Sequence, residues 1–97
     1  MSTMLVINLP PALEEDLIDY LLGLDAVAGF TSYEAMGHGE HSNLSIAEQV
    51  SGRRKRLQFE LLLEDETVFD SIVAGLESNV GADIKYWEQP VRNIGST

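Results

Sequence analysis

Four stretches of the chain carry strand character and two repeat apolar residues at helical spacing. Met4 to Leu9 reads MLVINL, a short aliphatic run stopped by Pro10-Pro11, which predicts a buried strand. Pro11 suits the opening of a helix, in which Leu13, Leu17, Tyr20, Leu21 and Leu24 fall three and four apart while Glu14, Glu15, Asp16 and Asp19 take the other side. Those carboxylates also match the positive end of the helix dipole, so they read as a solvated helix start and not as a catalytic pair. Gly29 introduces a second strand, Phe30 to Met36, rich in residues that favour a pleated surface and broken by Gly37-His38-Gly39.

The next segment, HGEHSNLSIAEQVSG from His38 to Gly52, has no sustained period and predicts a long loop, with at most one helical turn around Ser45 to Gln49. Loops of that length in a small domain are usually functional or disordered. Beyond it Leu57, Phe59, Leu61 and Leu63 alternate with Gln58, Glu60 and Leu62, the clearest strand in the chain. Asp65 is placed to cap a second helix with Val68, Phe69, Ile72, Val73 and Leu76 on its apolar stripe, ending near Asn79 to Gly81. A final strand, Asp83 to Gln89, precedes Pro90, a residue that suits a sheet edge.

The order strand, helix, strand, strand, helix, strand predicts an α+β, ferredoxin-like βαββαβ sandwich: an antiparallel four-stranded sheet with both helices on one face, spanning residues 1–97 as one domain. Strand alternation then puts Met4, Val6, Leu62 and Trp87 on one face and Leu5, Ile7, Leu61 and Tyr86 on the other. One helical layer covers one face only. The apolar residues left on the second face predict self-association.

Charge narrows the function. Sixteen acidic residues against six basic ones give a formal net charge of −10, a field that repels nucleic acid. The chain lacks cysteine, which excludes disulfides and thiolate metal sites. The N-terminal stretch has no basic region of the signal-peptide kind, and no run approaches a membrane span, so the expected address is the cytoplasm with no direct membrane insertion.

Two clusters stand out as candidate chemistry. His38, Glu40 and His41 combine imidazole and carboxylate in the loop, a donor set suited to a divalent transition metal if a neighbouring subunit completes it; the plainer reading is exposed polar residues beside turn glycines. Four of the six basic residues are consecutive, Arg53-Arg54-Lys55-Arg56. Arg53, Arg54 and Arg56, with Lys85 on the last strand, are candidate anion ligands, and the alternative is a charged strand entry paired with nearby Asp or Glu. Ser42, Ser45 and Ser51 have no identifiable base or oxyanion site, so catalysis is not expected.

PPALEEDLIDYLL at 10–22, GFTSYEAMGHG at 29–39, LSIAEQVSGRRKRLQFELLL at 44–63 and YWEQPV at 86–91 carry a family resemblance. The chain resembles the PII-like superfamily, and more narrowly the bacterial family named domain of unknown function 3240. The resemblance implies a homotrimer in which residues 38–52 play the part of the PII T-loop, coupling a ligand held between subunits to a partner protein. It also implies a setting near heavy-metal efflux systems, from which the alternative reading follows, a divalent-metal-binding accessory of such a system. The glycine- and lysine-rich turn of the PII nucleotide site is replaced here by Asn79-Val80-Gly81-Ala82-Asp83, with Lys85 as a lone phosphate lysine and Arg92 alone in the tail. ATP is therefore not the expected ligand. The loop also has no tyrosine to modify.

Overall fold

A computed structural model describes residues 2–39 and 53–97. Strand β1, Ser2–Leu9, leads through a 3-10 turn at Pro11–Leu13 into helix α1, Glu14–Leu22; β2, Thr31–His38, and β3, Arg53–Leu63, follow; then come α2, Thr67–Ala74, the short α3, Leu76–Asn79, and β4, Lys85–Val91. The sheet order is β2-β3-β1-β4 with every neighbouring pair antiparallel. This is the ferredoxin-like arrangement that the element order demands.

The core follows strand alternation. Leu5, Ile7 and Leu9 of β1 and Leu57, Phe59, Leu61 and Leu63 of β3 are buried against Leu17 and Leu21 of α1, Ile72 of α2, and Leu76 and Val80 at α3. Each such side chain contributes about 1.5–3 kcal/mol by leaving water. Phe30 leans on Phe59 with ring centroids 5.8 Å apart, and Phe69 of α2 meets the Tyr86 ring edge-on at 6.2 Å.

Several element boundaries differ from the sequence expectation; β4, for one, begins at Lys85 and not at Asp83. The second strand runs through Gly37 and His38 because β3 supplies partners there: Gly37 pairs with Arg54 and His38 with Arg53. The last strand continues through Pro90 to Val91, since β1 still pairs with it at Thr3 and Ser2; as an edge strand β4 tolerates the proline's missing donor. The second helical stripe is split at Gly75 into α2 and α3. There the Tyr20 ring from α1 lies against the backbone, and a Cβ at position 75 would collide with the Tyr20 hydroxyl and stand 3.0 Å from its Cζ.

Asp65 acts one residue before the N-cap, which is Glu66: its Oδ1 accepts from the Thr67 backbone N–H and from the Thr67 hydroxyl, each at 2.9 Å. These bonds favour the ionised form and hold the Asp65 carboxyl below its usual range.

On the face away from the helices, Met4 and Val6 stand opposite Leu62 and Glu60 of β3, and opposite Gln89 and Trp87 of β4. Val6 is buried, whereas Leu62, Trp87 and Tyr33 are 51%, 41% and 43% exposed. A second feature positions the site. β1 pairs with β3 only from Leu57 onward, so Arg53 to Arg56 pair with Ala35 to His38 alone and the β2–β3 pair extends beyond the four-stranded sheet as a two-stranded arm.

Candidate functional site

At the root of that arm the strand period sorts the basic run. Residues two apart share a face, so Arg54 and Arg56 point to the open face while Arg53 and Lys55 take the other. Arg54 and Arg56 are 6% and 4% exposed, a depth at which arginine is rare without partners. Their partner is Asp83, in the turn before β4. Arg54 is ion-paired to the Asp83 carboxylate, and Arg56 Nη1 lies 3.2 Å from its Oδ2. Arg56 is held further: its Nε donates to Asn8 Oδ1 at 2.6 Å, and its Nη2 donates to the backbone oxygens of Asn8 and Asp83 at 2.9 Å each.

Asp83 takes a left-handed backbone conformation, φ 65°. Outside glycine, Asp and Asn tolerate that region best. The turn thus suits an aspartate locally, and the aspartate meets the two guanidiniums globally.

The pairing continues as a line of hydrogen bonds across the open face. Asn8 Nδ2 donates to Gln58 Oε1 at 3.0 Å, Gln58 Nε2 donates to the Tyr33 hydroxyl at 2.9 Å, and that hydroxyl donates to Glu60 Oε2 at 2.9 Å. A chain of side chains therefore joins Glu60 to Asp83 through Tyr33, Gln58, Asn8 and Arg56, linking β2, β3, β1 and the turn before β4. The bond to the Glu60 carboxylate, more than partial burial, raises the Tyr33 phenol above its ordinary value. Among the described residues no buried side-chain nitrogen or oxygen lacks a partner.

A hollow of about 150 Å³ opens beside this network, lined by Asn8, Gly37, His38, Arg54, Arg56, Lys85 and Trp87. The structure thus brings together Arg54, Arg56, Lys85 and His38 of the residues singled out in the sequence. Arg53 lies elsewhere, opposite His38 in the pairing and on the other side of the arm from Arg54. Glu40 and His41 lie outside the described residues, and so does the loop from 40 to 52. Among the described residues no three His, Asp or Glu side chains cluster as a metal site would require.

Sequence reasoning missed Asn8 and Asp83. The Asp83 signal was present in two parts, a Gly-Ala-Asp turn and two arginines at strand spacing. Only the fold joins them, across 27 residues of chain.

The fold is of the ferredoxin-like α+β class. The family model described as "Protein of unknown function (DUF3240)" matches residues 1–97, and the chain belongs to that family. Among solved structures it is similar to a DUF3240 family protein from Shewanella baltica OS155, at 18% identity and a TM-score of 0.80, covering 99% of this chain and 96% of the other. It is similar also to CutA1 from Pyrococcus horikoshii, at 12% identity, and to the periplasmic divalent cation tolerance protein CutA from Archaeoglobus fulgidus, at 9%. Both give a TM-score of 0.72 and cover 96% of this chain and 86% of the other. At these identities the likeness is one of fold. No curated protein matches the chain in sequence. No helix among the described residues is long and apolar enough to cross a membrane.

Proposed function

We propose that the protein is a non-catalytic, homotrimeric PII-like regulatory protein. It binds a small anionic ligand in the hollow at the root of the β2–β3 arm and offers the 38–52 segment to a partner protein. One observation carries this reading: Arg54, Arg56 and Lys85, half of the basic residues in a chain of net charge −10, line a single hollow together with His38. A cationic recess in an acidic surface concentrates small anions locally. The hollow lies where the arm leaves the sheet, so a ligand there acts on the base of the segment offered to a partner. The exposed Leu62, Trp87 and Tyr33 support assembly through the open face.

Calorimetric titration with phosphate-bearing metabolites tests the reading. Heat that disappears in Lys85→Gln and Arg54→Gln is the expected result, with a solution mass about three times the 10.7 kDa of the chain. A monomeric mass, or heat indifferent to both substitutions, contradicts it.

A second reading is a divalent-metal-binding accessory protein of a metal efflux system. It is favoured by the divalent cation tolerance named for the Archaeoglobus fulgidus structure and by the histidines at 38 and 41. Zinc, copper or nickel heat abolished by joint His38→Ala and His41→Ala substitution is its distinguishing result.

A further inference from the structure

We infer that Asp83 is a built-in competitor for the anion site: its carboxylate occupies the guanidinium donors that a phosphate-bearing ligand takes when it binds, so that ligand entry releases the turn before β4. The inference rests on the reading of the hollow as an anion site and adds the means by which occupancy is sensed.

Three features of the geometry lead to it. The first is chemical identity. A carboxylate held by two guanidiniums presents them with the same charge and acceptor oxygens as a phosphate group, and arginine forks bind either. Asp83 is bonded to both arginines, Arg54 through Nη1 at 3.3 Å as well as through its ion pair, and Arg56 through Nη1.

The second is preorganisation. Arg56 is held by the Asn8 side chain at 2.6 Å and the Asn8 carbonyl at 2.9 Å, and both bonds belong to β1. Departure of the Asp83 carboxylate therefore leaves this guanidinium in place. Asn8 is itself fixed through Gln58 and Tyr33. The donors stay aimed while the carboxylate is the movable member. It has the means to move: the Asp83 side chain is 27% exposed against 8% and 3% for those of its arginine partners.

The third is connection. Ile84 alone separates Asp83 from β4, and β4 contributes Lys85 and Trp87 to the hollow that Arg54 and Arg56 line. Asp83 also gives its backbone oxygen to Arg56. Loss of the carboxylate anchor leaves Val80 and Ile84 packed at the core and the Asp83 carbonyl on Arg56, but removes the ion pair that fixes the left-handed residue between them. Occupancy of the hollow is thereby transmitted to the start of an edge strand. Exchange of a protein carboxylate for a ligand phosphate is a population shift, driven by the difference in affinity of the two anions for one pair of donors.

Inorganic pyrophosphate is a suitable probe, with binding read by calorimetry and by the rise in thermal midpoint, on wild type, Asp83→Asn, Asp83→Gly and the double variant Arg54→Gln/Asp83→Asn. Asparagine and glycine both accept the backbone at position 83, so two independent variants remove the carboxylate without imposing a forbidden turn; either one that keeps the wild-type circular dichroism carries the test. Binding roughly tenfold or more tighter in the Asp83 variants than in wild type is expected, because a charged hydrogen-bonding competitor is removed. The gain is lost in the double variant. If wild type binds pyrophosphate and the Asp83 variants bind no tighter, the exchange is overturned while the anion site stands. If neither wild type nor the variants bind, the anion site itself is overturned and the exchange with it.

Discussion

The Tyr20 hydroxyl of α1 donates to the Ile72 carbonyl of α2 at 2.9 Å, and in doing so lies over the backbone of Gly75. The contact joins the two helices and also explains where the second one breaks. Gly75→Ala forces a methyl group into the hydroxyl, and overpacking of this kind costs about 1–3 kcal/mol. Tyr20→Phe removes the hydroxyl, the worst part of the obstruction, together with its hydrogen bond, at about 1 kcal/mol, while the ring carbon Cζ stays close. Urea unfolding of both single variants and the double variant is expected to be non-additive, with Gly75→Ala costing less in the phenylalanine background. Strict additivity would show that the two residues do not meet.

Arg56 is expected to be irreplaceable by lysine. An ammonium cannot reproduce a planar fork that reaches Asn8 through Nε and Nη2 and Asp83 through Nη1 and Nη2. Arg56→Lys and Arg56→Met both break a buried network, with a loss on the order of 3 kcal/mol. The denaturation midpoint measures it, and a lysine variant as stable as wild type would remove the geometric argument.

Alkaline stability should be limited by two phenols. Burial raises the pKa of Tyr20, and the bond to Glu60 raises that of Tyr33. Each folded value lies above the unfolded one, so the native state holds protons that the unfolded chain has lost. Their contribution is complete below about pH 10 and falls as pH rises through the folded values. Unfolding free energy measured upward from neutral pH should decline in that window, and less in Tyr20→Phe/Tyr33→Phe. An identical decline in the double variant would refute the assignment.

Asp65 gives the opposite sign at the acid end. Its carboxyl is held low by the Thr67 backbone N–H and then by the Thr67 hydroxyl. The stabilisation is present above the ordinary carboxylate value and is lost as pH falls through the lower, folded value. Asp65→Asn should flatten this part of the acid unfolding curve, which circular dichroism follows directly.

Trp87, the chain's single tryptophan, sits on the open face opposite Val6. If three copies assemble there, its emission is blue-shifted at micromolar concentration and moves red on dilution, and Leu62→Glu gives the red, monomeric spectrum at all concentrations. Emission independent of both dilution and Leu62→Glu would place the interface elsewhere.

Much of this architecture was readable from alternation alone. Leu57, Phe59, Leu61 and Leu63 mark one face of a strand by their period, and Met4, Val6, Leu62 and Trp87 share a face in the structure as their positions require. What escaped the sequence depends on contacts distant along the chain. Gly37 and His38 resemble a strand terminus until Arg53 and Arg54 pair with them, and Gly75 gives no sign of Tyr20. The candidate site divides in the same way: its cations were visible as a consecutive run, but their period-two division between faces and their shared carboxylate were not. Arg54 and Arg56 became one site, and Arg53 was separated from it, once the pleat was known.

Among the described residues the arm that carries His38 and Arg53 projects past β1 without a third strand beside it, and on the open face its root is fastened by ion pairs and hydrogen bonds. Apolar packing is tolerant of direction, whereas a guanidinium fork admits one orientation. The arm is therefore a cantilever whose bearing is polar: its pitch relative to the sheet is set by a few directional bonds and can be altered there without disturbing the hydrophobic core. Insertions or grafted peptides between β2 and β3 should leave the fold intact, and resetting the arm's angle is a matter for positions 8, 54, 56 and 83.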